Sequence, residues 1–177
     1  PAWDITMGSD QVVTAVIDSG VLTNHPDIAD RILRDASGVV IGFDFISNPE
    51  RSGDSDGIDP NPFDVGDLAL VTRSSFHGSH VAGTIGASTN NGAGVAGVTW
   101  NGKIMPLRAL GLGGSGTGMD ISQAIRYAAG TPNVSGQVPA VRADIINMSL
   151  GEGNRRNPAN ECRPLPPIDR ERADAIA

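Results

Sequence analysis

The sequence predicts an α/β fold in which a mostly parallel sheet carries helices on its faces. Short runs rich in β-branched residues alternate with segments of helical periodicity along most of the chain. Such alternation implies right-handed crossover connections, which make the strands parallel. A chain of 177 residues has room for one domain with a sizeable core, but not for two ordinary domains.

Four segments are predicted as strands, and two as helices. The strands cover residues 11–18, 38–46, 103–110 and 143–150. The first helix, residues 77–88, has small residues through its first two turns, which lets it pack closely on a sheet. The second, residues 118–130, is amphipathic, with apolar residues at helical spacing.

Two segments lack periodicity. Residues 48–67 are dominated by Asp, Gly, Pro and Asn, which predicts a long loop of the kind that is either functional or disordered. Residues 152–167 are polar and rich in proline, and Asp169 then fits the N-cap of a helix that has only two turns before Ala177. We therefore expect residues 1–177 to be the N-terminal portion of one larger domain.

The net charge and the composition of the chain disfavour two classes of partner, nucleic acids and membranes. A net charge of −7 and a pI near 4.7 disfavour nucleic acid, because phosphates are bound through Lys and Arg. No stretch approaches the roughly 20 apolar residues of a membrane span, so no membrane partner is expected. Cys162 is the single cysteine, which leaves a free thiol or a disulfide to a cysteine outside this sequence as alternatives.

Two candidate catalytic residues lie at predicted element boundaries. Asp18 closes the first strand and His77 begins the first helix. Active sites of open parallel sheets form at the carboxyl ends of the strands, where a carboxylate and an imidazole can make the base half of a Ser-His-Asp triad. Taken singly, Asp18 also fits a turn residue. His77 with His80 also fits a structural helix start or a metal pair, although the spacing and the missing Glu differ from the zincin motif.

Several motifs in sequence order resemble those of the subtilisin-like serine proteases, the subtilases. They are AVIDSGV, HPDI, HGSHVAGTIGA, NNGAGVAGV, ALGLGGSGTG and DIINMSLG, and they span residues 11–151. The resemblance implies a subtilisin-like three-layer α/β/α fold, incomplete in this chain. It identifies Asp18 as the triad aspartate and His77 as the general base, and implies that His80 faces into the packed helix. Ser79 stands where the family more usually has Thr.

The resemblance also implies a cleft for a protein or peptide substrate between two segments. An extended peptide can add as a strand between exposed backbone edges, and glycines allow its close approach. The residues expected to line the cleft are Leu110, Gly113, Gly114, Ser115 and Gly116 on one side, and Ser149, Leu150 and Gly151 on the other.

Calcium is the cofactor that the resemblance implies. The first site would use the carboxylate of Asp27, the side chain of Asn91 and the carbonyls of Thr89, Ala93 and Val95, oxygen ligands of the kind that suit Ca²⁺. A second calcium site is expected in the acidic loop, residues 54–67, which is similar to an insertion in some secreted bacterial subtilases. A bound cation would relieve the mutual repulsion of its carboxylates, and a solvated acidic loop is the alternative. These carboxylates belong to Asp54, Asp56, Asp59, Asp64 and Asp67.

Two parts of the family's machinery do not occur in these 177 residues. They are the Gly-Thr-Ser-Met-Ala type motif with the triad serine, and the later asparagine of the oxyanion hole. Ser115 lacks the G-x-S-x-G elbow of a substitute nucleophile. We therefore expect a secreted endopeptidase whose C-terminal remainder supplies the serine, with this chain inactive by itself. A non-catalytic, calcium-stabilised binding fragment is the alternative.

Overall fold

The computed structural model describes residues 2–67 and 73–151, and its centre is a four-stranded parallel sheet. The strands are β1 (Val13–Asp18), β2 (Phe43–Asp44), β3 (Lys103–Arg108) and β4 (Ile145–Asn147), in the order β2-β3-β1-β4. The helices are α1 (Pro49–Ser52), α2 (His77–Gly86) and α3 (Gly118–Ala128), with short 3₁₀ turns at Ala2–Asp4 and Leu112–Gly114. The predicted parallel α/β fold is confirmed.

The two longer helices cover opposite faces of the sheet. Val13, Ala15 and Ile17 of β1 pack with the apolar side of α3, while Val16 packs with Ala82 of α2. This alternation along one strand follows from the two-residue period of β structure. Because β1 is buried at every position, it has an apolar layer on both sides. The described residues therefore form an α/β/α arrangement of three layers.

The second strand is much shorter than predicted. Residues 38–46 were expected to be extended, yet only Phe43 and Asp44 pair with β3. Asp35 accepts hydrogen bonds from the backbone N–H groups of Ser37 and Val39, at 2.8 and 2.9 Å, and Gly38 has a positive φ of 84°. These bonds close a turn over the first part of the predicted strand, because an Asp side chain competes for backbone donors.

The long loop predicted for residues 48–67 contains a short helix that periodicity did not predict. Asn48 caps α1 by accepting a hydrogen bond from the N–H of Glu50 at 2.9 Å, and Pro49 occupies the first helical turn. Asn followed by Pro is a helix-start signal, but one turn is too short to show a period. The predictions for Cys162 and for a helix after Asp169 lie outside the described residues.

None of the helices in the described part of the chain has the length and apolar character that crossing a membrane requires.

Helix α2 begins in direct backbone contact with the end of β1. A Cβ atom added to Gly78 would lie 2.1 Å from the carbonyl oxygen of Gly20 and 3.0 Å from Cβ of Asp18. Gly78 and Ala82 are buried on the face that meets the sheet. Only a residue without a side chain fits this contact, which sets the distance between Asp18 and the helix that carries His77.

We predict that Gly78→Ala destabilises the intact protein by about 1–3 kcal/mol, because the added methyl group overlaps backbone atoms. Gly83→Ala on the same helix is the matched control, since its Cβ would meet nothing nearer than Ile28 Cγ2 at 4.0 Å. The control should be neutral or stabilising by about 0.5–1 kcal/mol, the usual gain from alanine within a helix. Urea unfolding measures both variants, and equal stabilities would contradict the contact.

Arg108, the last residue of β3, is a buried cation at the carboxyl end of the sheet. Its guanidinium donates hydrogen bonds to Asp44, to Asp54 at 2.9 Å and to the backbone carbonyl of Ser52. Burial raises the pKa of Asp44 to about 7, although Arg108 acts in the opposite direction. Burial also acts against the ionised form of Asp54, but hydrogen bonding to Ser52 and the charge of Arg108 hold its pKa below the usual value. This ion-pair network joins β2, β3 and the acidic loop.

We predict that Arg108→Met destabilises the intact protein by about 3–5 kcal/mol near pH 8, because it leaves a buried carboxylate without a cation. The pKa of Asp44 in the folded state lies above its unfolded value, so protonation favours folding and stability falls as pH rises through about 7. The loss should therefore be smaller at pH 5. The double variant Arg108→Met, Asp44→Leu should recover part of the stability at pH 8. A loss that does not depend on pH would show that Asp44 is not the group responsible.

Candidate active site

Asp18 and His77 meet at the carboxyl end of β1. Nδ1 of His77 lies 2.8 Å from Oδ1 and 3.0 Å from Oδ2 of Asp18. The carboxylate is completely buried, whereas the imidazole side chain is 49% exposed. Because an ionised carboxylate only accepts hydrogen bonds, Nδ1 carries the proton and Nε2 remains able to accept one. This pair has the geometry of the base half of a triad.

Ser19 connects the two elements that carry this pair. Its hydroxyl accepts a hydrogen bond from the N–H of Gly78 at 3.0 Å and donates one to Asp64 at 2.8 Å. Helix α2 has no side-chain cap of its own, and Phe76 just before it has a left-handed backbone with φ 47°. Such a conformation is uncommon for a bulky residue. Ser19 thus satisfies a free donor at the start of the helix and holds it beside Asp18.

Two further carboxylates lie close to the pair. Asp64 is buried, and burial raises its pKa, although it accepts hydrogen bonds from Ser19 and from the N–H of Gly66. Asp67 is only partly buried, and both its oxygens accept hydrogen bonds from Ser75, each at 2.7 Å. The hydrogen bond from the Ser75 hydroxyl is the main cause of its lowered pKa, to which the nearby His77 also contributes.

A cleft of about 470 Å³ opens beside His77. The structure brings most of the predicted substrate residues to its walls, and Gly113 lies next to the wall rather than in it. The lining residues from that prediction are Leu110, Gly114, Ser115, Gly116, Ser149, Leu150 and Gly151. The hydroxyl of Ser115 donates to the carbonyl of Gly113 at 3.3 Å, and within the described residues it makes no hydrogen bond to His77.

Asp27 and Val95, two residues of the first predicted calcium site, are in contact. Asp27 Oδ2 accepts a hydrogen bond from the N–H of Val95 at 2.9 Å, and the Asp27 carbonyl accepts one from Ser88 at 2.7 Å. A Cβ atom on Gly94 would lie 2.2 Å from both carboxylate oxygens of Asp27. The loop that contains Thr89, Asn91, Ala93 and Val95 thus closes over Asp27, and glycine makes the close approach possible.

The acidic-loop carboxylates, which were expected to form the second calcium site, have several different hydrogen-bond partners. Asp54 binds Arg108, Asp64 binds Ser19 and Asp67 binds Ser75. Asp56 remains near Asp54 and Asp59; a hydrogen bond shared with Asp54 raises its pKa to about 6. Across residues 2–67 and 73–151 there is no group of three or more acidic, His or Cys side chains arranged for a metal ion. Protein groups thus donate hydrogen bonds to three of these five carboxylates.

The prediction for His80 was wrong. It was expected to face into the packing of the helix, yet it is exposed and borders a groove next to Phe76 and Val95. The buried residues of α2 are Gly78, Ala82 and Gly86, four residues apart, so a residue two positions after Gly78 lies on the opposite side.

Sequence reasoning did not find the structural roles of three residues that support the pair. Ser19 and Asp64 position α2, and Ser79 Oγ accepts a hydrogen bond from the N–H of Leu22 at 2.8 Å. This hydrogen bond from Leu22 needs only a hydroxyl group at position 79. A serine can therefore replace the more usual threonine at that position. The adjacency of Ser19 to Asp18 was a usable signal, whereas nothing in the spacing of the acidic loop indicated the partner of Asp64.

Comparisons with known proteins agree with this geometry. The model of the subtilase family matches residues 9–176. An extracellular protease of Xanthomonas campestris pv. campestris is 44% identical over 164 residues, which cover 86% of this chain and 26% of that protein. Thermitase of Thermoactinomyces vulgaris is 33% identical over 150 residues, which cover 85% of this chain and 40% of that protein.

A solved structure of proteases from Pseudoalteromonas arctica PAMC 21717 has the same fold. It superposes with a TM-score of 0.80 at 38% identity, covering 99% of this chain and 48% of that chain. The chain therefore spans between about a quarter and a half of the proteins it is compared with here. The family model covers nearly all of this chain, in which Asp18 and His77 are hydrogen bonded at the carboxyl end of β1. The chain belongs to the subtilase family.

Proposed function

We propose that this chain is the N-terminal portion of a secreted serine endopeptidase and supplies the aspartate and the histidine of its triad. The observation that carries the proposal is the 2.8 Å contact between Nδ1 of His77 and buried Asp18, beside a cleft suited to a peptide. The names of relatives support the secreted location, since two of them are called an extracellular protease and an extracellular basic protease.

In this mechanism Asp18 keeps the proton of His77 on Nδ1, so that Nε2 takes the proton of the attacking serine hydroxyl. The serine oxygen then bonds to the substrate carbonyl carbon, and a tetrahedral intermediate forms. Asp18 stabilises the resulting imidazolium, which gives its proton to the leaving amine as the peptide bond breaks. The acyl-enzyme is hydrolysed by water in the same way, with His77 again acting as the base.

The attacking serine and the donors to the oxyanion belong, in our proposal, to the C-terminal remainder of the protease. The outer edge of β4 is consistent with this proposal, because no described strand pairs with it. That edge leaves room for a further packed segment. Apolar residues there are exposed, including Ile145 at 52% and Val141 at 46%. An open edge with exposed apolar side chains is costly in water and favours the addition of another strand.

We predict that Asp18→Asn and His77→Ala in the full-length protease each lower kcat by about 10³-fold or more, as the loss of a triad member does. His80→Ala is the matched control, three residues further along the same helix and exposed. It should change kcat less than about twofold, as expected for a surface site. Hydrolysis of a chromogenic peptide measures all three.

Labelling with a fluorophosphonate locates the nucleophile. A labelled serine outside residues 1–177 is expected, since Ser115 makes no described hydrogen bond to His77. Label on Ser115 would contradict the assignment. No labelled residue in the full-length protein would favour the alternative, a non-catalytic binding module.

We also propose that calcium binds at Asp27 and the loop of residues 89–95 and stabilises this part of the fold. The residues fit such an ion, because a carboxylate lies against a loop rich in backbone and amide oxygens, and calcium accepts six to eight oxygen ligands. The bound ion would hold the loop against Asp27 and would take no part in proton transfer.

We predict that chelation with EDTA lowers the Tm of the full-length protease and that Asp27→Asn removes much of this response. Calcium at a hundred times its dissociation constant stabilises a folded protein by about 2.7 kcal/mol. Asp35→Asn, which removes an equal charge from an exposed turn elsewhere, should leave the calcium response unchanged. Scanning calorimetry with calcium, with magnesium and with chelator measures the shift, and equal chelator responses in wild type and Asp27→Asn would exclude this site.

A further inference from the structure

The cleft contains a second carboxylate that the triad does not use. Asp67 lines the cleft together with Ser75, His77, Leu110 and Gly114. Its carbonyl accepts a hydrogen bond from the N–H of Gly113 at 2.9 Å, and a Cβ atom on Gly114 would lie 3.9 Å from Asp67 Oδ2. Asp67 therefore lies between the loop before His77 and the glycine segment on one side of the cleft.

The side chain of Asp67 is held in place. Oδ1 accepts from the N–H of Ser75 and Oδ2 from its hydroxyl, while the N–H of Asp67 donates to Ser74 Oγ at 3.1 Å. A carboxylate has about four acceptor positions, so these two bonds leave room for another donor. The negative charge is thus fixed in position and still able to bind a cation.

Within residues 2–67 and 73–151, no Lys or Arg forms an ion pair with Asp67. The sequence from 68 to 72 is Leu-Ala-Leu-Val-Thr and carries no charge, and Arg73 is exposed. The other carboxylate of the cleft, Asp18, is completely buried and bound to His77. Among the described residues, Asp67 is therefore a carboxylate that has no Lys or Arg paired with it and lines the cleft that a substrate would enter.

We propose that Asp67 determines specificity by attracting a lysine or arginine side chain of the substrate to the part of the cleft beside His77. The inference rests on the proposed endopeptidase activity. A basic side chain placed there replaces bulk water beside a fixed carboxylate, and a glutamate would be repelled. Exposed ion pairs contribute modestly, so we expect about a two- to fivefold preference in kcat/KM at low salt.

The test uses the full-length protease and fluorogenic peptides that carry Lys, norleucine or Glu at each of the four positions before the cleaved bond. In wild type, Lys should be preferred over norleucine at one position, with Glu the least favoured there. Because salt screens exposed charges, the preference should shrink as the salt concentration is raised towards about 1 M. These measurements need no variant, so they remain decisive even if substitution at Asp67 impairs folding.

Asp67→Asn should bring the ratio of the Lys to the norleucine peptide close to one. Asp10→Asn is the charge-matched control, because Asp10 is exposed and bonds only to the side chain of its neighbour Gln11 among the contacts described. It should keep the wild-type ratio. Equal cleavage of Lys and norleucine peptides by wild type, or an unchanged ratio in Asp67→Asn, would overturn the inference and leave the endopeptidase activity intact. Failure of wild type to cleave any peptide would overturn the proposed function as well.

Discussion

The close backbone contact between Gly78 and Gly20 is the constraint on which the candidate active site depends. It brings the first turn of α2 against the end of β1, so that His77 and Asp18 are hydrogen bonded although 59 residues separate them in sequence. Ser19 adds a hydrogen bond to the N–H of Gly78 across the same contact. Backbone packing thereby positions the imidazole of His77. The hydroxyl of Ser19, the residue just after β1, caps α2, which has no side-chain cap of its own.

The carboxyl end of the sheet also has to accommodate several buried carboxylates. Asp18, Asp44 and Asp64 are all almost completely buried there. Buried charges are stable only when they are paired or hydrogen bonded, and each of the three has a different partner. Arg108 binds Asp44, His77 binds Asp18, and Ser19 donates to Asp64. The acidic loop is thus part of the support for the active site, because two of its aspartates, Asp54 and Asp64, bind groups at the strand ends.

The topology of the sheet explains why the Asp18–His77 pair and the walls of the cleft lie together. Strands β1 and β3 lie in the middle of the described sheet, and Asp18 and Arg108 are paired in register at their ends. Strand β4 forms the edge and leads into Ser149, Leu150 and Gly151 at the cleft. Asp18 therefore lies at the end of a fully buried strand, while the walls of the cleft are formed by segments that leave the sheet.

The sequence by itself determined the parallel α/β class, the positions of β1, α2, β3 and α3, and the pairing of Asp18 with His77. The fold class and the element positions follow from the local periodicity of apolar residues and from the residues at the element boundaries. The pairing of Asp18 with His77 follows from motifs that occur in an order specific to one family. Only the tertiary structure decided which donor each acidic-loop carboxylate binds, that His80 is exposed and that Asp67 faces the cleft. The physical reason is that hydrogen-bond partners of loop carboxylates are distant in sequence, as with Asp64 and Ser19, and no periodic pattern encodes them. The orientation of His80 was accessible from the helical period, but it required knowing that Gly78 is the residue that touches the sheet.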